Sequence, residues 1–276
     1  HRGFTVAAET IELMAQIVHQ DELAHLPAER VWTEIERALG ERNPEVFIEV
    51  LRDCGALQRL LPELEALFGV PQTAQYHPEI DTGLHTLMAL QQAARLTPAT
   101  DVRFAVLIHD LGKGGTPPAE WPRHIAHEQR GLKLVEAVCR RLKSPSAHRE
   151  LALKACEYHT HCHRALELRG VTLLKLLNAT DALRRPDRFE AFLLACEADA
   201  RGRTGLESMP YPQRELLHAV WQAARSVDTA TVASQGLAGE ALGAAIRQAR
   251  LEACIAARTR FVAEHAGTGS ASAQPD

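Results

Sequence analysis

The feature that most constrains the fold is a helical spacing of apolar residues that runs through almost the whole chain. In one segment after another, apolar side chains recur three or four positions apart. That period places them on one face of an α-helix, whereas a half-buried strand alternates with a period of two. We find no convincing pair of strands and no internal repeat of fixed period, so we predict an all-α protein. The apolar faces with the clearest spacing are Val46, Phe47, Val50, Leu51 and Cys54; Leu132, Val135, Cys139 and Leu142; and Phe189, Phe192, Leu193 and Cys196.

Composition agrees with a helical protein of the ordinary soluble kind. Ala and Leu dominate and aromatic residues make up only 5% of the 276 residues, which favours helices over strands. No stretch approaches the roughly 20 apolar residues that a bilayer span needs. The formal net charge of −4 argues against a protein that coats nucleic acid, but it leaves room for a local basic surface.

Cysteine usage and the first residues bear on cellular location. The six cysteines lie within apolar helical patterns and form no CxxC pair, so we expect buried, reduced thiols in a cytoplasmic protein. The opening residues, 1–4, show neither an initiating Met nor the apolar core of a signal peptide. We therefore expect the chain to start inside a longer polypeptide.

Proline and glycine divide the chain into consecutive helical sections. Pro27 and Gly40 are expected to bracket one helix, and Asn43-Pro44 and Gly55 a second. Pro- and Gly-bearing connections follow at 69–81, 112–122 and 208–213. The predicted divisions are an N-terminal helical region at 1–70, a central domain at 71–207, a C-terminal helical tail at 208–265 and a disordered end at 266–276.

The residues with the clearest chemical meaning are an adjacent His109 and Asp110. They end the apolar run "VRFAVLI" and precede a Gly-Lys loop. Neighbouring residues on a helix point roughly 100° apart, so both reach one ion only if it sits in a cleft beside the helix. With His85 from the preceding helix and Asp181 from a later one, imidazole and carboxylate groups form a partly open site for a divalent cation. In a chain with 14 histidines, the alternative is a structural His-Asp pair.

Four motifs in succession, "GLHTLMAL", "VLIHDLGKG", "HIAHEQRG" and "NATDAL", resemble those of the HD phosphohydrolase superfamily. The resemblance implies that His85, His109, Asp110 and Asp181 are metal ligands. His127, in "HEQRG", and His159, in "EYHTHCH", are similar to later histidines of the same superfamily.

The remaining polar residues near these motifs carry weaker hypotheses. Lys113 is placed to approach a substrate phosphate as a point charge, and the alternative is a solvated loop lysine. His124 is a candidate to contact a phosphate or a second ion. We predict a structural role for His77 and surface positions for His161 and His163.

The flanking segments narrow the family. "ERVWTEIERAL", "PEVFIEVLRDCGALQRLLPEL", "YHPEIDTGLHTL" and "EADARGRTGLE" closely resemble the bacterial CCA-adding tRNA nucleotidyltransferases, in the multifunctional form that has a C-terminal HD domain. The likeness runs from about Gly3 to Phe261. It implies a helical neck and body before the HD domain and a helical tail after it.

This family also has a nucleotidyl-transferring head, whose motifs are a Gly-Ser turn and an Asp-x-Asp pair for catalytic magnesium. The printed sequence has neither motif, and it lacks the Glu-Asp-x-x-Arg signature that selects CTP and ATP. We therefore expect this chain alone not to add CCA, and we expect the magnesium site to lie in the head.

The resemblance implies that the HD portion hydrolyses 2′,3′-cyclic phosphodiesters, 2′-nucleotides and other phosphomonoesters with nickel, manganese or another divalent ion. Asp110 would both bind the metal and orient the attacking water. His127 or His159 would hold the phosphate or protonate the leaving alkoxide.

The other helices are expected to bind the acceptor and T arms of tRNA. Solvated helix faces are the alternative, and Asp199, Arg201 and Arg203 are expected to form an internal ion-pair network instead. The rival functions are a tRNA-binding clamp with a vestigial HD site and an HD hydrolase of dNTPs or signalling nucleotides, and the sequence leaves monomer and homodimer open. The candidate RNA contacts are Arg140, Arg141 and Lys143; Arg184, Arg185 and Arg188; and Arg247, Arg250, Arg258 and Arg260.

Overall fold

The structure, a computed structural model, describes residues 5–234 and 236–266. The regular structure of those residues is helical, and their only β-type pairing is an isolated bridge between Pro71 and Asp81. The prediction of an all-α protein is confirmed. Of the predicted disordered end, all but Ala266, the last residue of the final helix, lies outside the described residues.

Fourteen α-helices, joined by turns and four short 3₁₀ segments, account for the described chain. The first seven are α1 (Ala8–His19), α2 (Ala28–Leu39), α3 (Glu45–Asp53), α4 (Ala56–Leu60), α5 (Pro62–Glu65), α6 (Thr82–Leu96) and α7 (Thr100–Ile108). The others are α8 (His127–Leu142), α9 (Ser146–His163), α10 (Gly170–Ala179), α11 (Pro186–Arg201), α12 (Pro212–Arg225), α13 (Thr229–Ala233) and α14 (Gly239–Ala266).

The helices form two compact units, and the chain passes between them more than once. Among the described residues, unit 1 runs as far as His159 and resumes at Ala191–Met209. Unit 2 comprises Thr160–Glu190 and the chain from Pro210 onward. Helices α9 and α11 contribute residues to both. The three consecutive divisions proposed from the sequence stay a prediction.

Proline and glycine set helix ends in unit 1 where the sequence placed them. Pro27 precedes the first residue of α2, and Gly40 follows its last. Pro44 immediately precedes α3, and Gly55 adopts a left-handed φ of 77° just after that helix, a conformation that glycine tolerates without strain.

The core of unit 1 contains one aromatic contact that joins α2 to α7. Trp32 and Phe104 meet edge to face, with ring centroids 5.0 Å apart. The buried guanidinium of Arg103 donates to the carbonyls of Leu39, at the end of α2, and of Thr97, after α6. Because these carbonyls follow the last turns of their helices, Arg103 satisfies acceptors that would otherwise lack a partner.

The predicted apolar faces are largely buried, with four exceptions. Val46 is 45% exposed, and Ile48 is buried on α3 in its place, so the prediction for Val46 was wrong. Phe47 and Val50 of the same face, and Leu132 in the second turn of α8, are only half-buried. The third face, in α11, is fully buried, and so are all six cysteines.

Unit 2 is built on contacts of α12 and α10 with the long helix α14. Gly170 approaches Ile255 so closely that a Cβ at Gly170 would lie 2.5 Å from the Ile255 side chain. Arg258 of α14 donates to the carbonyl of Leu168 at 2.6 Å. That guanidinium is therefore used inside the unit, which counts against its prediction as an RNA contact. Across the described chain, no helix combines the length and apolarity needed to cross a bilayer.

Candidate metal centre

Helix α6 carries His85 and is fixed at its start by Asp81. The Asp81 carboxylate accepts a hydrogen bond from the backbone N–H of Leu84 at 2.8 Å and another from that of Gly69. An Asp in this position satisfies N–H groups that have no partner in the first helical turn. His85 lies one turn into the helix and is fully buried.

The His109-Asp110 pair lies where α7 ends. Seven consecutive residues of α7, 102–108, are buried, so the helix delivers both side chains into the interior. His109 is 2% exposed and Asp110 1% exposed. The 3₁₀ turn Leu111–Lys113 follows at once and holds Lys113 beside them.

Four imidazoles in this region all present the same ring nitrogen, Nε2, to a carboxylate of the cluster. In each, Nδ1 lies within hydrogen-bond distance of a main-chain carbonyl, so Nδ1 carries a proton and donates it. Nε2 then faces inward in every ring and is left to act as a metal ligand. The four Nδ1 contacts are His85 to Gly202 at 3.0 Å, His109 to Val106 at 2.7 Å, His127 to His124 at 2.9 Å and His159 to Ala155 at 2.9 Å.

Asp199, on α11, joins two of these rings. Its Oδ1 lies 2.9 Å from Nε2 of His85, and its Oδ2 lies 3.4 Å from Nε2 of His109. Oδ2 of Asp110 is 3.3 Å from the same His109 nitrogen. Nε2 of His109 thus lies between the carboxylates of Asp199 and Asp110, and Asp199 links it to His85.

The second oxygen of Asp110 faces the other two rings. Oδ1 lies 3.3 Å from Nε2 of His127 and 3.5 Å from Nε2 of His159. The two imidazole nitrogens are themselves 3.3 Å apart. Asp110 therefore lies between the His85–His109–Asp199 group and the His127–His159 pair.

A divalent cation fits this donor set. Within the described residues, no hydrogen bond of good geometry reaches Nε2 of His109 or either carboxylate oxygen of Asp110, although all three atoms are buried. Buried polar atoms without such a bond are costly; the Lys113 ammonium offsets part of that cost at Oδ2 of Asp110, and a bound cation would offset more of it. Ligand atoms in the group His85, His109 and Asp199, and in the group His109, Asp110 and His159, lie within 4.8 Å of one another.

The electrostatics of the cluster favour an ionised Asp110. Burial opposes a charge on His109, but Asp110 and Asp199 outweigh it and raise the pKa of His109 well above its usual range. Burial also opposes ionisation of Asp110, yet Lys113 and His109 hold the pKa of Asp110 well below its usual range. Burial lowers the pKa of His159 to about 3, so this ring is neutral at pH 7.

Lys113 is buried, in contrast to a solvated loop lysine. Its ammonium lies 2.5 Å from Oδ2 of Asp110 and donates to Gln72 at 2.6 Å. The charge that was predicted to meet a substrate phosphate is thus directed at Asp110, and its role toward a phosphate stays a prediction.

Asp181 is the one predicted metal ligand that the structure does not bring into these groups. It belongs to unit 2, follows α10 in a left-handed conformation and lies 3.5 Å from Arg184 and 3.6 Å from Arg185. Asp199 is the carboxylate that faces His85 and His109. For Asp199, which was expected to join an internal ion-pair network with Arg201 and Arg203, the described contacts are with these two imidazoles.

The other two members of that expected network do have structural contacts. Arg201 pairs with Glu197 at 2.7 Å, one helical turn away. Arg203 donates to the carbonyl of Ala200 at 2.7 Å. For these two arginines the structural interpretation agrees with the geometry.

The remaining histidines have local roles. Both ring nitrogens of His124 are engaged, by the hydroxyl of Thr116 at 2.9 Å and the carbonyl of Pro71 at 3.0 Å, so His124 is a loop contact rather than a ligand. His161 is exposed as predicted. His163 is half-buried against the Tyr211 hydroxyl at 2.9 Å, so its predicted surface position was wrong.

Two glycines that the sequence analysis did not single out allow the backbone to close around the centre. A Cβ at Gly202 would lie 2.4 Å from Cα of Ala89, so only glycine lets this turn approach α6 and place its carbonyl on His85. A Cβ at Gly112 would lie 1.9 Å from the carbonyl oxygen of His127. The close approach at Gly112 brings the start of α8 against the Asp110 turn.

The basic cluster on α8 is largely paired. Arg141 makes a bidentate contact with Glu63, at 2.8 and 2.6 Å, and Lys143 lies 2.5 Å from Glu29. Arg140 is exposed. RNA phosphates would have to compete with these carboxylates for Arg141 and Lys143, so Arg140 is the most accessible of the three.

Comparison with known proteins finds two matching family models and several similar proteins. Residues 82–188 match the HD domain family, and residues 3–68 match a family described as "Probable RNA and SrmB- binding site of polymerase A". Multifunctional CCA proteins of Hahella chejuensis, Teredinibacter turnerae and Pseudomonas aeruginosa are 59%, 54% and 58% identical to 91% of this chain. The chain is homologous to the multifunctional CCA proteins.

The resemblance to the multifunctional CCA proteins that the motifs suggested is thus confirmed. The chain spans 60–61% of the length of these three relatives. The HD match covers His85, His109, Asp110, His127 and His159 and ends before Asp199.

Proposed function

We propose that unit 1 contains a metal-dependent phosphohydrolase site for 2′,3′-cyclic phosphodiesters, 2′-nucleotides and other phosphomonoesters. The observation that carries the proposal is the convergence of four imidazole Nε2 atoms on two buried carboxylates, where Nε2 of His109 and both oxygens of Asp110 lack a hydrogen bond of good geometry. Such a donor set suits a divalent transition metal such as nickel or manganese.

His85, His109, Asp110 and Asp199 are the proposed ligands, with Asp199 in the place that the sequence analysis gave to Asp181. A bound divalent ion lowers the pKa of its water and offsets negative charge on phosphoryl oxygens. Asp110 faces both halves of the cluster, so its carboxylate would hold the ion and would orient the attacking water. Lys113 keeps that carboxylate ionised and in place.

His127 and His159 are the proposed contacts for the phosphate and the leaving group. His159 is neutral, and its Nδ1 proton is committed to the Ala155 carbonyl, so its inward Nε2 is an acceptor. Nε2 of His127 lies 3.3 Å from this acceptor nitrogen and 3.3 Å from Oδ1 of Asp110, so it is placed to share a proton with either. His127 is thus the proposed general acid for the leaving alkoxide.

We propose that a full-length protein containing this chain adds and repairs the 3′-terminal CCA of tRNA. The support is the name of its relatives and the RNA-binding family matched by residues 3–68. We propose the acceptor and T arms of tRNA as partners of the present helices, with Arg140, Arg141, Lys143, Arg184, Arg185 and Arg188 as candidate phosphate contacts. Magnesium would belong to the nucleotidyl-transferring part, whose motifs the sequence does not contain.

The test is hydrolysis of 2′,3′-cyclic AMP by the purified chain supplied with Ni²⁺ or Mn²⁺. We expect activity that Asp110→Ala reduces at least about a hundredfold, because one carboxylate serves both the ion and the water. Asp53→Ala, an exposed aspartate at the end of α3, is the matched control and should keep full activity. If the wild type were inactive with every divalent ion yet bound tRNA, the chain would be a binding clamp with a vestigial HD site.

A further inference from the structure

A buried carboxylate outside the proposed ligand set contacts the first of the metal-binding imidazoles. We propose that Glu79 is a positioning residue for the metal centre, and that it holds the Nδ1–H of His85 so that Nε2 is presented to the ion. This inference rests on the proposed function, because it assumes that the cluster binds a divalent cation. It assigns a role to the "HPE" segment that precedes α6, which none of the proposed catalytic steps uses.

The geometry of Glu79 suits this task. Its Oε1 lies 3.1 Å from Nδ1 of His85 and accepts from Nδ1 of His77 at 3.0 Å. Its Oε2 accepts the backbone N–H of Thr204 at 3.3 Å. The side chain is 3% exposed, so the carboxylate is fixed by three donors and has little access to water.

His77, Glu79 and His85 also satisfy the spacing of a metal site by themselves, since their ligand atoms lie within 4.8 Å of one another. A neutral imidazole, however, has one lone pair and one N–H. If Nε2 of His85 binds the ion beside Asp199, then Nδ1 must carry the proton and cannot bind a second ion. The group is therefore a hydrogen-bonded support rather than a second metal site.

Glu79 adds a charge to what the backbone already provides. The Gly202 carbonyl accepts from the same Nδ1, at 3.0 Å, and would keep the tautomer even without Glu79. A carboxylate behind the ring makes Nε2 a more basic ligand, and loss of such support typically lowers metal affinity by about 10–100-fold. Glu79 and the Gly202 carbonyl both accept from Nδ1 of His85. We therefore expect removal of the Glu79 charge alone to lower metal affinity less than removal of its acceptor oxygens.

The experiment measures Ni²⁺ affinity by calorimetry for the wild type, Glu79→Gln and Glu79→Ala. Glu79→Gln keeps an acceptor oxygen without its charge, so we expect roughly a tenfold loss of affinity, and up to about a hundredfold loss for Glu79→Ala. The matched control is Glu207→Gln, which removes a carboxylate that accepts the backbone N–H of Gly205 in the turn after α11. Its Ni²⁺ affinity should equal that of the wild type.

A second measurement keeps the proposal testable if the variants fold poorly. In the Zn²⁺-loaded wild type, long-range ¹H–¹⁵N NMR should show a proton on Nδ1 of His85 and the metal on Nε2. The opposite tautomer, or a folded Glu79→Gln with unchanged Ni²⁺ affinity, would overturn the role of Glu79. A wild type that binds no metal at all would instead contradict the proposed function on which the inference rests.

Discussion

At the metal centre, Asp110 and Asp199 contact different sets of the four imidazoles, with His109 common to both carboxylates. Asp199 reaches His85 and His109, while Asp110 reaches His109 on one side and the His127–His159 pair on the other. Neither carboxylate alone contacts all the rings. Each is buried, so each needs either a cationic partner or a metal ion to offset the cost of its charge.

Asp199, which faces His85 and His109, and Asp181, which the motifs suggested, can be distinguished as metal ligands by substitution. Asp199→Asn should lower Ni²⁺ affinity by at least about tenfold, because it removes an anionic oxygen that faces two imidazoles. Asp181→Asn keeps the shape of a residue that contacts Arg184 and Arg185 and should leave the affinity unchanged. Calorimetric titration of both variants decides the matter, and the reverse order would restore Asp181 as a ligand.

The sequence identified three of the four proposed ligands because adjacent motifs carry them. The fourth proposed ligand, Asp199, could be identified only from the way the helices pack. "NATDAL" and "EADARG" each offer an aspartate after an apolar run, and nothing in that spacing says which one faces inward. Arg184 and Arg185, three and four residues beyond Asp181, were the available signal that this carboxylate forms local ion pairs.

At the scale of elements, the centre depends on how closely helices approach one another. Asp81 caps the start of helix α6, and Gly202 packs closely against Ala89 of that helix. The turn after α11 therefore lies against the helix that carries His85. Helix periodicity predicted that these helices exist, but it contained no information on which turn lies against which helix.

The element-scale prediction concerns Gly202→Ala. The added Cβ would lie 2.4 Å from Cα of Ala89, a backbone atom that cannot rotate away, so α11 and α6 must separate. We expect a loss of about 1–3 kcal/mol in the free energy of unfolding and a weaker Ni²⁺ affinity, since the carbonyl that holds His85 moves as well.

Urea denaturation measures the loss of stability. Gly115→Ala is the matched control, because a Cβ there would meet only the carbonyl oxygen of Gly112 at 3.9 Å. Equal stability of the two variants would show that the contact between Gly202 and Ala89 is looser than described.

At the scale of the whole molecule, residues far apart in sequence converge within unit 1. His85 and Asp199 lie on either side of a segment, Thr160–Glu190, that belongs to unit 2. The chain thus leaves unit 1 and returns before the proposed ligand set is complete. The divisions proposed from the sequence are consecutive segments. They could not reveal that the chain passes from unit 1 to unit 2 and back.

The most direct measurement is an anomalous difference map from crystals of the chain soaked in Mn²⁺ or Ni²⁺. The account predicts a peak in contact with Nε2 of His85, Nε2 of His109 and the carboxylates of Asp110 and Asp199. A peak bound to Asp181, or no peak within reach of His85 and His109 at saturating metal, would contradict it.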